Sequence, residues 1–325
     1  MPSKTFILGA GFSADAGFPL ARDLIRDLPA WIEAERHPSA EPHLTPNLHG
    51  YPQGQFCAGW DAVDPTRSMG FEECMIAARN RLSSANQHDP TYVFHRVMRD
   101  SCGRLIWDRQ RKIRQLSAAY VNFGSWFHEH HSYGLPNAIV SFNWDLLAEK
   151  ILTDASVVWR YSAQSPFVPI LKPHGSINWS DHMERGWRAE SPEWQPIGVG
   201  SDYCYIAESP SFDPFESGAN QRLRKLFLPG DPEEQGAARL IWSEAKEAIR
   251  EREVVVFIGY SLPAYDSSSM KFLQRAVSGK QVEVYARSSE TLDHYRRALG
   301  HVSTTVPLAF AGCPYSKSFS DAANA

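Results

Sequence analysis

Phe6-Ile7-Leu8-Gly9-Ala10-Gly11-Phe12-Ser13-Ala14-Asp15-Ala16-Gly17-Phe18-Pro19 decides how this chain is read. A short apolar run ends in a Gly-x-Gly turn, and small residues suited to opening a helix follow. Glycines let the backbone turn sharply and approach a pyrophosphate, while the N-terminus of the next helix offers unpaired N–H groups at a positive dipole end. The stretch has the layout of a nucleotide-phosphate site on an α/β sheet. A dinucleotide redox enzyme would add an acidic residue at the end of a second strand about twenty residues on. The chain instead enters an irregular segment rich in Pro, Gly, His and polar residues, from Pro29 to Arg67.

Working outward, the first strand is expected over Lys4 to Leu8, with a helix from Ser13 or Ala14 towards Leu28. Helical patterns follow over Phe71 to Leu82 and from Asp89-Pro90, a cap and first-turn pair, to about Asp100. Ile113, Leu116, Tyr120, Phe123 and Phe127 recur at spacings of three and four and make one apolar stripe. That stripe reads as core by default. Arg104, Arg109, Arg111, Lys112 and Arg114 read as the wet face of the same region.

After Gly134-Leu135-Pro136-Asn137 the pattern changes. Ala138 to Phe142 is a continuous apolar run, as in a strand covered on both faces, and a helix follows over Leu146 to Leu152. Val157 to Trp159 and Ile170-Leu171 are further strands, and 180–230 reads as irregular with one strand at Tyr203 to Ala207. Asp231-Pro232-Glu233-Glu234 opens a helix that runs to about Arg250. Strand, helix, strand, helix and strand then succeed one another over 253–258, 266–277, 281–285, from Ser288, and 304–310. The tail from 314 to 325 reads as disordered. Strands alternating with helices imply a doubly wound, mostly parallel Rossmann-like α/β sheet. The expected organisation is one domain, its core from about 1–28, 135–179 and 231–312, with a mainly helical insertion at 29–134 and an irregular one at 180–230.

With 43% hydrophobic and 22% charged residues and a net charge of -4, the 325-residue chain has an ordinary soluble composition and no general polyanion-binding character. It has no apolar run long enough for a membrane span and opens without a basic, apolar leader, so a cytoplasmic location is expected. Its five cysteines (Cys57, Cys74, Cys102, Cys204, Cys313) form no Cys-x-x-Cys pair, which argues against a disulfide framework and a zinc ribbon. His128-x-His130-His131 has no suitably spaced acid or Cys, so no metal site is expected.

Ligands of open parallel sheets sit at the carboxyl ends of the strands. The unusual polar residues of this chain collect there: Gly9/Gly11/Ser13, Asn143/Asp145, His174/Gly175/Ser176 and Gly259/Ser261/Asp266. Four such coincidences point to one pocket.

These motifs resemble those of the sirtuin-like NAD-consuming enzymes. Gly9-Ala10-Gly11-Phe12-Ser13 through Gly17-Phe18-Pro19 is similar to that family's opening signature. Ser141-Phe142-Asn143-Trp144-Asp145, Lys172-Pro173-His174-Gly175-Ser176 and Gly259-Tyr260-Ser261-Leu262 resemble its later motifs, in family order. The chain departs from the protein-deacylating members: it lacks the paired cysteines of their zinc module. Where they carry Asp-Phe-Arg it has Leu20-Ala21-Arg22, keeping only Arg22. It more closely resembles the zinc-less bacterial NAD hydrolases of antiphage defence. The resemblance implies NAD as substrate, no zinc, no prosthetic group, a homo-oligomer, and a partner defence protein such as an ATPase or nucleic-acid sensor. It also implies gated activity, because unrestrained NAD loss would harm the host.

Breaking the nicotinamide bond passes through an oxocarbenium-like ribose, which requires a held pyrophosphate, a placed nucleophile and a base. Backbone N–H groups near Ala10, Gly11 and Phe12, with Ser13 and Arg22, are expected to hold the phosphates and ribose. Asn143 places a water or a ribose hydroxyl, or else caps the next helix. Asp145 by resemblance faces the nicotinamide amide, or is itself a cap. His174 is the candidate base. Gly175, Ser176, Gly259, Tyr260 and Ser261 are expected along the substrate, with Arg287 or Tyr285 near the adenine. Two rival readings remain. One is a non-catalytic NAD or ADP-ribose sensor. The other is a serine hydrolase built on Ser261, with Asp266 or Asp293 and His294 or His301.

Overall fold

The structure, a computed structural model, describes residues 2–20, 23, 24, 28, 53–82, 89–132, 136–163, 167–180, 194–197, 204–207, 224–226, 236–263, 266–300, 302, 304–306 and 314–316. In chain order its elements are β1 (Lys4–Leu8), the single turn α1 (Ala10–Ser13), α2 (Gln53–Val63), α3 (Phe71–Leu82), α4 (Pro90–Lys112), α5 (Ala118–Ser132), β2 (Ala138–Ser141) and α6 (Leu147–Asp154). They continue as β3 (Trp159–Arg160), β4 (Val168–Leu171), β5 (Gly175–Ser180), β6 (Trp194–Ile197), β7 (Cys204–Ala207), β8 (Arg224–Leu226) and α7 (Gly236–Arg250). The chain closes with β9 (Val254–Ile258), α8 (Ser267–Ala276), β10 (Gln281–Tyr285), α9 (Ser289–Leu299) and β11 (Thr304–Val306). Two compact units result, one of 1–18, 110–174 and 238–325, the other of 19–109 and 175–237.

The first unit is built on a seven-stranded sheet in the order β11-β10-β9-β1-β2-β4-β3. All its pairings are parallel. A parallel sheet is covered on both faces, so its strands carry continuous apolar runs; β9, Val254 to Ile258, is buried throughout. β1 lies at the centre, with Phe6 beside Ile139 of β2 and Val256 of β9. The Thr5 hydroxyl donates to the Ala248 carbonyl of α7 at 3.0 Å, closing a polar group inside the core.

The aromatic stripe read from the sequence is core. Phe6 meets the rings of Phe123, Trp126 and Phe127 of α5 at centroid distances of 5.1–5.5 Å. Tyr120 packs edge-on against Phe12 and donates its hydroxyl to the Phe12 carbonyl at 2.6 Å. The helix starts later than the stripe, however. The Ser117 carbonyl accepts the Tyr120 and Val121 amides, so Ile113 and Leu116 precede the helix. His130 stacks on Trp126 at 3.9 Å and uses Nδ1 at the Trp126 carbonyl, a structural arrangement.

Several sequence expectations are corrected. The helix expected to run from Ser13 or Ala14 towards Leu28 is cut at Gly17, which takes φ +87°, with Pro19 two residues on. Helical hydrogen bonding resumes at the Leu20 carbonyl. The segment 29–67, read as irregular, contains α2; its residues 29–52 lie outside the described set. α4 continues past Asp100 to Lys112 because Cys102, Leu105 and Ile106 extend the buried face begun by Val93, Phe94, Val97 and Met98. In place of one strand, 175–226 contributes a four-stranded antiparallel sheet, β6-β7-β5-β8. Within the tail read as disordered, Pro314–Ser316 form a 3-10 turn whose buried Tyr315 contacts Phe6 and donates to Glu283 Oε2 at 2.6 Å.

The second unit carries its own aromatic cluster of Phe56, Trp60 and Phe94. Gly59 is required there: a Cβ would lie 2.0 Å from the Pro90 carbonyl oxygen.

Helix ends follow capping rules. The Ser288 hydroxyl accepts the Thr291 amide at 3.2 Å at the start of α9. Ser288→Ala is expected to cost about 1 kcal/mol, read as a shift in the chemical denaturation midpoint. A change below about 0.3 kcal/mol would show that the cap is not used.

Candidate functional site

The order β9-β1-β2-β4 places four consecutive parallel strands side by side, and each of the four motifs leaves the carboxyl end of one of them. At strand spacings of about 4.8 Å these ends span roughly 14 Å of one sheet edge. From β1 the chain proceeds to β2 and β4 on one side, then returns to β9, β10 and β11 on the other. The β1–β9 boundary is therefore the topological switch point, where open α/β sheets hold ligands.

At that boundary two glycine loops cross in backbone contact. The Gly9 amide donates to Ile258 O at 3.1 Å, and the Gly11 amide to Gly259 O at 2.8 Å. A Cβ on Gly9 would lie 2.4 Å from Tyr260 Cα, and one on Gly259 would lie 2.2 Å from Phe12 N. Gly259 also takes φ +62°. This corrects part of the expected phosphate grip. The Gly11 amide is committed to Gly259 O, which holds the two loops together, and the Phe12 amide to Gly9 O within the β1 loop. The loop after β9 is fixed from behind by α9: Tyr295 Oη donates to Tyr260 O at 2.8 Å, and His294 Nε2 lies 2.8 Å from Leu262 O.

Asn143 ties the end of β2 to the β1 loop. Its Nδ2 donates to Gly9 O at 2.9 Å and to Ser13 Oγ at 3.0 Å, and its own amide donates to Ser141 Oγ. With both amide hydrogens used, Oδ1 is the atom left to meet a ligand. The N-cap of the next helix is Leu146, neither Asn143 nor Asp145; Asp145 Oδ1 accepts the Leu147 amide at 3.0 Å at the first residue of that helix. Burial pushes the Asp145 carboxyl above its ordinary value, against the pull of the Lys172 ammonium and of hydrogen bonds from Leu147 and Ser13.

His174 lies three residues past the end of β4, with its side chain largely buried. Trp144 Nε1 donates to its carbonyl at 2.8 Å. Its ring lies edge-on to Phe142, which stacks on Tyr260 at 4.6 Å. Nε2 lies 3.2 Å from Asp266 Oδ2 and 3.3 Å from Ser269 Oγ. Sequence alone places Asp266 among the strand-end polar residues and in the rival triad; a pairing across 92 positions leaves no local signal.

Beneath these residues is a buried ion pair. Lys172 Nζ meets Glu149 Oε1 at 3.0 Å and donates to Asp145 O, and Tyr161 Oη donates to the same Glu149 oxygen at 2.8 Å. Sequence reading assigned Lys172 no task beyond the motif.

The remaining expected residues fall as follows. Gly175, at φ +74°, opens β5 of the second unit, where Ser176 is fully buried. Ser261 is exposed. Arg287 pairs with Asp15, and Tyr285 Oη with Glu283 Oε2. Arg22 lies outside the described residues.

The rival serine triad is not assembled among the described residues. His294 serves the Leu262 carbonyl and Asp293 pairs with Arg296, while His301 lies outside the described set.

Among the described residues no group of three His, Cys, Asp or Glu is placed to hold a metal. Burial, followed by the nearby Asp64 carboxylate, pushes the Cys74 thiol up to about 12. Among the same residues no helix is long and apolar enough to cross a membrane.

No family model matches the chain, and a search of curated proteins returns no match. Solved structures similar to it are Sir2 proteins. A structure described as the basis for the mechanism and regulation of Sir2 enzymes is 13% identical, covering 96% of this chain and 89% of that one, with a TM-score of 0.43. A Sir2 homologue in complex with NAD is 13% identical, covering 95% and 84%, with a TM-score of 0.42. A mutant Sir2 homologue in complex with ADP-ribose is 12% identical, covering 95% and 87%, at 0.42. Likenesses this distant carry no functional argument.

Proposed function

We propose that the chain hydrolyses NAD at the bond between nicotinamide and ribose, releasing nicotinamide and ADP-ribose. One observation carries the reading: the four motifs leave four adjacent parallel strands at one sheet edge, with Asn143 bound to the β1 loop and His174 at the end of β4. The resemblance of those motifs, in their order, to the sirtuin-like family supports NAD as the dinucleotide.

In this reading the carbon–nitrogen bond breaks with its electron pair passing to the nicotinamide ring nitrogen, which becomes neutral. A water oxygen bonds to the anomeric carbon, and its proton passes to the His174 imidazole and then to solvent. Asn143 Oδ1 orients the water or a ribose hydroxyl without adding a charge. Ser13 and the glycine loops support the ribose and pyrophosphate, and Asp145 faces the nicotinamide amide. The finer reading, carried by resemblance, is a gated antiphage effector whose isolated chain has low basal turnover. Robust constitutive turnover would contradict the gate.

The test is incubation with NAD, with and without candidate partners, followed by chromatography of nicotinamide and ADP-ribose. His174→Ala and Asn143→Ala are each expected to lower turnover at least about 100-fold. Unchanged turnover in both would sink the site assignment. NAD binding without cleavage by every form would favour the sensor.

A further inference from the structure

Asp266 does more than close the loop after β9. It is the N-cap of α8, its Oδ1 accepting the Ser269 amide at 3.1 Å, and its side chain is 4% exposed. A capping carboxylate needs only that one oxygen. The second, Oδ2, is buried without a hydrogen-bond partner, and His174 Nε2 stands 3.2 Å from it, at ion-pair distance. Burial alone would raise the Asp266 carboxyl; the contacts with His174 and Ser269 outweigh it and hold the carboxyl below its ordinary value. The imidazole is confined as well, by Phe142 edge-on at 5.0 Å, by Trp242 at 6.1 Å, and by the Trp144 bond to its backbone.

A buried carboxylate accepts and does not donate. The ring nitrogen facing it is therefore the protonated one in the neutral imidazole, which leaves the other nitrogen as the acceptor. We propose that Asp266 is a positioning residue that holds His174 in the Nε2–H tautomer, so that Nδ1 takes the proton from the attacking water. Ser269 Oγ, at 3.3 Å from Nε2, completes the cradle. The tautomer is a property of this chain whatever its substrate; the consequence for turnover rests on the NAD-hydrolase reading.

Asp266→Asn separates the two tasks of this side chain. Asn caps a helix as well as Asp does, so thermal stability and NAD affinity are expected to stay near wild type. Its amide, however, can turn an N–H towards Nε2 and favour the opposite tautomer. In ¹⁵N-histidine-labelled full-length protein, the His174 signals, assigned by their loss in His174→Ala, are expected to show Nε2–H in wild type and Nδ1–H in Asp266→Asn. kcat is expected to fall at least about 100-fold with KM within threefold.

A wild-type Nδ1–H tautomer overturns the proposal, as does an Asp266→Asn variant with unaltered tautomer and kcat. The wild-type spectrum decides the tautomer even where the variant fails to fold. If wild type releases no nicotinamide, the hydrolase reading fails while the spectrum still decides the role of Asp266.

Discussion

Gly259→Ala is expected to destabilise the protein by about 2–6 kcal/mol, the sum of left-handed backbone strain and steric overlap. The residue has φ +62°, and an added Cβ would stand 2.2 Å from Phe12 N and 2.4 Å from Gly11 C. Those neighbours are backbone atoms that cannot rotate away. Relieving the overlap would separate the β1 and β9 loops and break the Gly11–Gly259 hydrogen bond. Gly279→Ala is the control. It has φ +75° with nothing within 4 Å, so it carries only the backbone cost, about 1–2 kcal/mol. Equal losses from the two substitutions, measured by chemical denaturation, would show that the crossing of the loops is not what fixes Gly259.

Lys172→Met is expected to cost about 3–5 kcal/mol, because it leaves Glu149 buried and unpaired. Lys172 is fully buried and Glu149 is 1% exposed. Adding Glu149→Gln removes the orphaned charge while keeping an acceptor for Tyr161 Oη, so the double variant is expected to recover most of that loss. A coupling energy below about 1 kcal/mol in the double-mutant cycle would mean that the pair acts as two independent side chains. Lys172 also donates to Asp145 O, so the single variant is expected to loosen the turn after β2 that carries Asn143.

Much of the sheet was readable because a strand buried on both faces is a continuous apolar run, and 138–142 and 254–258 are such runs. The strand-end residues were readable for the same reason: the apolar runs give way to Gly9, Asn143, Lys172 and Gly259. What escaped depended on partners far away in sequence. The glycines of the first loop read as a phosphate grip, but Gly11 and Gly259 are glycines because each backbone lies against the other, 248 positions away. Lys172 had no visible reason to be charged until Glu149 stood beside it. The antiparallel sheet of β5 to β8 was missed because its strands are short: β6 and β7 have four residues each and β8 three, too few for alternation to show.

The central place of β1 also bears on how the protein is made. β1 is translated some 130 residues before β2 and about 250 before β9, yet those two strands supply its hydrogen bonds on either side. At about 5–20 residues per second, Phe6-Ile7-Leu8 waits about 6–26 seconds for β2 and about 12–50 seconds for β9, its apolar side chains uncovered meanwhile. That interval makes the segment a ready site for chaperone capture or for mispairing between nascent chains. The sheet closes only after β9 leaves the ribosome, so yield is expected to depend on synthesis rate and chaperone supply as well as on final stability.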